Sequence, residues 1–175
     1  LFCIFMNVVH KLFRKYFKNQ YVRVFAGGVM LVLLNIILNT TDYNGTGMNI
    51  IAQALNGEAK PTAFLLKALF TAITIGCGFR GGEIVPSFFV GATFGCAMGG
   101  LMGLDPGFAA ALGMVCFFCG VVNCPLTSLF LSIELFGAHG ILLFTIGCAV
   151  SYMLSGYYSL YNEQKIIYSK LRPHY

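Results

Sequence analysis

The stretch Gly76–Pro86, GCGFRGGEIVP, decides how this sequence folds. It places four glycines, an arginine, a glutamate and a proline between two strongly apolar segments. When such segments lie in a membrane, the backbone between them leaves the helix only where protein buries it or where it lines a polar cavity. The stretch therefore predicts a break between two helices and is the most informative part of the chain.

The composition indicates a membrane protein. Hydrophobic residues make up 58% of the chain and charged residues 10%, whereas a soluble domain carries about 25% charge. No charge occurs from Ile84 to Leu104 or from Pro106 to Ile133, and about 20 apolar residues span a bilayer core. We expect an all-α, polytopic transmembrane bundle in which glycines and prolines break and tilt the helices. Residues 1–175 are interpreted as a single transmembrane domain.

Apolar runs and turn residues predict the individual helices. Residues 1–9 are interpreted as the end of a spanning helix, and the missing initiator methionine as the sign of a fragment. Further helices are expected at about 22–38, 62–75, 125–135 and 141–154, with Lys67 inside the helix at 62–75, and short amphipathic segments at 48–55 and 164–171. After the break, four glycines spaced four apart predict one close-packing face of a helix: Gly91, Gly95, Gly99 and Gly103. Asp105 followed by Pro106 predicts the next helix start.

Basic residues cluster at both ends of the chain, in residues 11–23 and 165–172, and the net charge is +5. Basic loops favour the cytoplasmic side of a membrane, so we expect both clusters there. A nucleic-acid-binding surface is disfavoured because apolar segments flank both clusters.

The cysteines and histidines give no sign of a metal or catalytic centre. Cys116 and Cys119 have a CxxC spacing, but their neighbours are apolar, which is typical of structural thiols. The three histidines are scattered at His10, His139 and His174. No Ser/His, paired-aspartate or metal-ligand arrangement is visible. We therefore expect no enzymatic activity, no metal and no cofactor.

The end of the break has the chemistry of an anion site. The first turn of a helix carries amides without intrahelical partners and the positive end of the helix dipole. Gly81 and Gly82 would permit close approach of an anion to a helix that carries Pro86 in its first turn. A glycine hinge without a ligand is the alternative interpretation.

Glu83 is the ionisable residue at this helix start, and an ionisable group in an apolar region usually has a function or a partner. A structural role is favoured, either as a capping carboxylate or as a salt-bridge partner of Arg80. The alternative is that its carboxylate competes with a bound anion, so that its protonation couples to transport.

Three motifs in order resemble the second half of a subunit of the CLC family of chloride channels and chloride or fluoride/proton antiporters. They are GGEIVPSFFVGATFG at residues 81–95, NCPLTSLFLSIEL at residues 123–135, and a terminal tyrosine-bearing segment. The resemblance covers residues 76–171. It implies anion transport and a homodimer in which each subunit has its own pore, with the helix from Pro125 at the dimer interface.

The resemblance also implies the site residues. The anion-binding positions are the backbone amides of Glu83, Ile84 and Val85, and the hydroxyl group of Tyr168. Tyr161 is a less favoured alternative to Tyr168.

Two departures from the family pattern concern the identity of the anion. Ile84 replaces the usual phenylalanine, and the preceding Glu83 resembles the GGEVTP motif of fluoride-exporting members, although Val85 stands in the place of its threonine. Chloride is slightly favoured and fluoride is the alternative. The serine-bearing helix start and the gating glutamate of the family's first half are not in these residues, which leaves channel and proton antiporter both open. A bacterial plasma membrane is expected, and a non-transporting, truncated scaffold is the remaining interpretation.

Overall fold

The computed structural model describes residues 2–156 and 159–160. This part of the chain contains eight α-helices and no β-strand. The helices are α1 (Phe2–Tyr16), α2 (Gln20–Leu38), α3 (Met48–Leu55), α4 (Ala63–Gly76), α5 (Ile84–Met102), α6 (Pro106–Val122), α7 (Pro125–Phe136) and α8 (Ile141–Leu154). The all-helical architecture confirms the predicted fold class. The short amphipathic segment expected at 164–171 lies outside the described residues.

The first helix is longer than the sequence analysis predicted. An end near Val9 was expected, but α1 continues through the basic residues to Tyr16. Lysine and arginine are good helix formers, and Arg14 and Lys15 in the last turn complement the negative end of the helix dipole. Asn19 then starts α2 by accepting a 3.1 Å hydrogen bond from the Tyr21 amide.

Two helices are long and apolar enough to cross a membrane by length and composition, α2 with a mean hydropathy of 2.1 and α5 with 1.6. They differ in their surroundings, because α5 is half buried by other helices whereas Gly27 is the one buried residue of α2. Apolar side chains such as Phe25, Ile36 and Ile37 therefore project outward from α2. Such a surface requires lipid or further protein around it.

Helices α5 and α6 form the tightest pair and run antiparallel. Gly91 faces Gly113, Gly95 faces Ala109, and Gly99 also lies against Ala109. A Cβ atom at any of these three α5 glycines would overlap α6, so the absence of side chains brings the two backbones together.

The glycine stripe has three members rather than the four predicted. Gly103 has a φ of 70° and ends α5 as its C-terminal cap, with nothing within 4 Å of where a Cβ would lie. Its role is conformational, because the left-handed region favours glycine. The partner of the stripe on α6, Gly113, was not predicted since spacing within one helix does not identify the facing helix.

The core lies between α3, α4, α5 and α6. Its buried members include Ile51 of α3, Phe70 of α4, Phe89 of α5 and Met114 of α6. A second cluster joins α6 and α8 through Val115, Phe144 and the cysteines. There Cys119 is fully buried and its thiol lies 3.4 Å from the Cys148 carbonyl oxygen, so these thiols take part in helix packing. The two helices that flank the break, α4 and α5, are therefore both anchored in the buried core.

Candidate anion-binding site

The break occupies residues 77–83, between the last residue of α4 and the first of α5. It is held from α2 by Arg23, whose Nε donates a 3.2 Å hydrogen bond to the Cys77 carbonyl oxygen. Gly78 has a φ of 96°, and a Cβ atom there would lie 3.2 Å from Nη2 of Arg23. Sequence reasoning had placed Arg23 only in the N-terminal basic cluster, because nothing local indicates its contact 54 residues away.

The amides at the start of α5 precede the hydrogen-bond ladder of the helix. Glu83 is the N-cap residue, and the Ser87 amide donates to its carbonyl oxygen at 3.2 Å. The amides of Ile84 and Val85 come before this first ladder bond and have no acceptor within the helix. Pro86 has no N–H group, so these two amides and the helix dipole are what the helix start offers a ligand.

Gly81 and Gly82 are free of the usual structural reasons for glycine. A Cβ atom at either position would meet nothing within 4 Å, and neither residue has a positive φ. Within the described residues, therefore, neither packing nor backbone conformation demands glycine here. Close approach by a ligand or by further protein is compatible with glycine at both positions, as is the glycine hinge without a ligand.

A cavity of ≈ 460 Å³ opens beside these glycines. Its walls come from α2, the loop after α2, α4 and the start of α5. They include Lys67 and Thr74 of α4 together with Gly82, Val85 and Pro86 at the helix start. The cavity has room for an anion with several waters, since one water occupies about 30 Å³ in the liquid.

Glu83 lies on a different side of the break. Glu83 lines a smaller pocket of ≈ 100 Å³ together with Asn7 and His10 of α1 and with Ser159. Its side chain makes no capping hydrogen bond. Within the described chain no ion pair joins it to Arg80, since the salt bridge found there is that of Lys60 with Asp42. Neither favoured structural role of Glu83 is therefore visible.

The expected anion-binding residues are thus distributed over two pockets. Val85 lines the larger cavity and Glu83 lines the smaller pocket. Ile84 is 38% exposed and lines neither of them. Tyr168 and the alternative Tyr161 lie outside the described residues. Sequence reasoning missed Lys67 as a cavity residue, although a charge inside an apolar helix was the available signal.

Comparison with known proteins identifies the family. The family described as Voltage gated chloride channel (Voltage_CLC) matches residues 1–156. The chain belongs to this family.

Among similar proteins, the chloride/fluoride channel protein of Pseudomonas syringae pv. tomato is 34% identical over 176 residues, which cover 95% of this chain and 39% of that protein. The H(+)/Cl(-) exchange transporter ClcA of Vibrio cholerae serotype O1 is 25% identical over 93% of this chain and 38% of its own length.

A crystal structure of a CLC-type fluoride/proton antiporter superposes with a TM-score of 0.90 at 33% identity, covering 94% of this chain and 42% of that one. The chain thus spans about two fifths of the length of the relatives it matches. The match extends the resemblance upstream to the first helices, which carry no specific motif.

Proposed function

We propose that this chain is the second half of a CLC-type subunit that transports an anion across a membrane, as a chloride channel or a chloride/proton antiporter. The observation that carries the proposal is the break at Gly81 and Gly82, where a helix start and a cavity meet without a structural need for glycine. The family membership of the chain supports the same function.

Fluoride/proton exchange is the second candidate. The relative named a chloride/fluoride channel protein and the crystallised fluoride/proton antiporter share 34% and 33% identity with this chain, against 25% for the chloride exchanger. The Glu83 that follows Gly82 supports the same branch. Val85 speaks against it, because a valine offers no hydroxyl group to a small anion.

The further features of the proposal follow from the family and the apolar surfaces. Residues 1–175 belong to one transmembrane domain in a lipid bilayer, in a bacterial plasma membrane. The subunit forms a homodimer, with Leu126 and Phe130 of α7, each 71% exposed, on a face that a second subunit could cover. The protein is a transporter without catalytic activity, cofactor or nucleic-acid partner. Protons are the second transported ion if the protein is an antiporter.

The test uses the complete protein that contains this chain, reconstituted in liposomes loaded in parallel with chloride or fluoride. Ion-selective electrodes measure the release of each anion, and liposomes without protein give the background. Fast chloride release with little preference for fluoride supports the first candidate. Fast fluoride release with little chloride supports the second. No release of either anion from correctly folded protein contradicts transport and favours a non-transporting membrane scaffold.

A further inference from the structure

Among the residues that the structure describes, Lys67 is the charged residue that lies buried inside the helix bundle. It stands in the first half of α4 and is 1% exposed. Its Nζ donates hydrogen bonds to the carbonyl oxygens of Tyr43, at 3.0 Å, and Gly45, at 2.7 Å, and lies 5.0 Å from the centre of the Phe89 ring. An ammonium group has three N–H donors, so these two carbonyl bonds leave one for another acceptor.

The loop after α2 is shaped around this ammonium group. Gly47 has a φ of 69°, and a Cβ atom there would lie 3.5 Å from Nζ of Lys67 and 2.6 Å from the Phe89 ring. Glycine is therefore required for the loop to close over Lys67. The site is built by contacts from three separate parts of the chain.

The charge of Lys67 is not neutralised by any described carboxylate. The two carbonyl oxygens supply partial charges only. Within residues 2–156 and 159–160 the ion pair that forms joins Lys60 to Asp42, and Lys67 has no carboxylate partner there. Burying an ammonium group without a counter-charge is costly. An anion in the adjoining cavity would supply the missing counter-charge and stabilise the charged form of Lys67.

The cavity connects Lys67 with the start of α5. Lys67, Thr71 and Thr74 follow one face of α4 and all line it, as does Ile75. The helix rises about 12 Å over the eight residues from Lys67 to Ile75. The threonine hydroxyls donate to helix carbonyl oxygens, Thr71 to Lys67 at 2.8 Å and Thr74 to Phe70 at 2.7 Å. Along this wall, then, Lys67 is the group with a positive charge to offer.

We propose that Lys67 is an anion-attracting residue of the transport pathway, which holds a chloride or fluoride ion in the cavity apart from the amides of Ile84 and Val85. The inference rests on the proposed function and adds a second anion-binding position to the transport pathway. A fixed positive charge at the wall of a low-dielectric cavity raises the local anion concentration. Its effect falls on the affinity for the anion as well as on the rate.

Two roles of Lys67 need to be separated, the charge and the hydrogen bonds that pin the loop at Tyr43 and Gly45. Lys67→Gln keeps N–H donors but removes the charge, and Lys67→Arg keeps both. The assay is anion flux through the complete protein in liposomes, over a series of concentrations of chloride or fluoride, whichever the wild type transports. The melting temperature of each variant in detergent reports the loop contacts.

We expect Lys67→Gln to raise the half-saturating anion concentration about tenfold, the lower end of what a focused charge contributes, whereas Lys67→Arg stays near the wild type. A Lys67→Gln variant that melts lower but keeps the wild-type half-saturating concentration would overturn the proposal, because only the loop contacts would then matter. Absence of flux in the wild type contradicts the proposed function instead, so the two failures are distinguishable.

A second pair of variants leaves Lys67 and its loop intact, in case Lys67→Gln does not fold. Thr74 lines the same cavity and is only partly buried. Thr74→Glu places a carboxylate on the wall that Lys67 shares, and Thr74→Gln is its neutral control. A higher half-saturating concentration in Thr74→Glu than in Thr74→Gln supports electrostatic attraction in the cavity, and equal values in the two overturn it.

Discussion

Gly91 of α5 and Gly113 of α6 face each other so closely that neither could carry a side chain. A Cβ atom on Gly91 would lie 2.7 Å from the Gly113 carbonyl oxygen, and one on Gly113 would lie 2.5 Å from the Gly91 carbonyl oxygen. Both obstacles are backbone atoms, which cannot rotate away. This contact fixes the distance between α5 and α6, and with it the position of the α5 start that carries the candidate anion site.

Gly91→Ala is expected to force the two helices apart and to lower the free energy of unfolding by roughly 1–3 kcal/mol, the usual cost of overpacking. Denaturant titration of the complete protein in detergent measures the change. Gly100→Ala is the matched control, because Gly100 lies on the same helix with nothing within 4 Å of a Cβ atom. Equal stability of the two variants would contradict the close contact between α5 and α6.

Gly82→Ala is expected to leave the stability of the protein unchanged and to slow anion transport. A Cβ atom at Gly82 meets nothing within 4 Å, so the melting temperature should remain that of the wild type. If an anion approaches the amides that follow, the added methyl group should slow transport about tenfold, the equivalent of ~1.4 kcal/mol of lost interaction. Liposome flux measures this, with Gly100→Ala again as the control. Wild-type flux in a folded Gly82→Ala variant would rule out close approach of the anion at this glycine.

Val85→Thr tests the choice of anion. Val85 lines the larger cavity in the first turn of α5, where a threonine would add a hydroxyl group that can donate a hydrogen bond. Small anions are bound most strongly by such donors, so the ratio of fluoride to chloride flux should rise severalfold. Val85→Ala controls for the change in size. A ratio that moves equally in both variants shows that the space at this position, and not the hydroxyl group, sets selectivity.

Asp105→Ala is expected to weaken the start of α6. The Asp105 carboxylate accepts a 2.8 Å hydrogen bond from the Phe108 amide. Loss of an N-cap side chain costs about 1 kcal/mol, which should appear as a lower free energy of unfolding in the same denaturant titration. Asp105→Ser retains a capping oxygen and should recover most of the loss. If the serine variant is as unstable as the alanine variant, the cap is not the reason for the aspartate.

The ion pair between Lys60 and Asp42 predicts a dependence of stability on pH. Its Nζ–Oδ2 distance is 3.0 Å, and the hydrogen bond from Lys60 lowers the pKa of Asp42 below its usual 3.8. Because the folded-state pKa is depressed, the stabilisation is present above pH 3.8 and is lost as the pH falls through the lower folded value. The same pair raises the pKa of Lys60 above 10.5, so the stabilisation also disappears at strongly alkaline pH.

Asp42→Asn should therefore lower the melting temperature slightly at pH 7 and have less effect at pH values well below 3.8. The effect is small because both side chains are partly or largely exposed to solvent. Glu58→Gln, which removes an exposed acid on the neighbouring loop, is the matched control at both pH values. A deficit of Asp42→Asn that is the same at both pH values would contradict a contribution from the ion pair.

The sequence alone predicted the elements whose signals are local. The predicted amphipathic segment at 48–55 coincides with α3, and α2, α4, α7 and α8 begin and end within about two residues of the predicted positions. The polar, glycine-rich stretch between apolar runs predicted the break before α5. Local patterns suffice here because apolar runs, caps and prolines act through the hydrogen bonds of a few neighbouring residues.

The membrane setting and the family motifs were also readable from the sequence, since composition and short motifs do not depend on the arrangement of distant helices. Through the resemblance, the sequence further named Glu83, Ile84, Val85 and Tyr168 as anion-binding residues, which stays a prediction.

Only the tertiary structure decided how the site is divided. It placed Glu83 and Val85, two residues apart, in different pockets, because residues two positions apart on a helix turn point to different sides. It brought Arg23 to the break and enclosed Lys67 with the loop from Tyr43 to Gly47, contacts that join residues about 20 to 54 positions apart. It also paired Gly91 with Gly113. Contacts of this kind depend on which helix faces which, and that choice is made by the packing of the whole bundle, not by any short stretch of sequence.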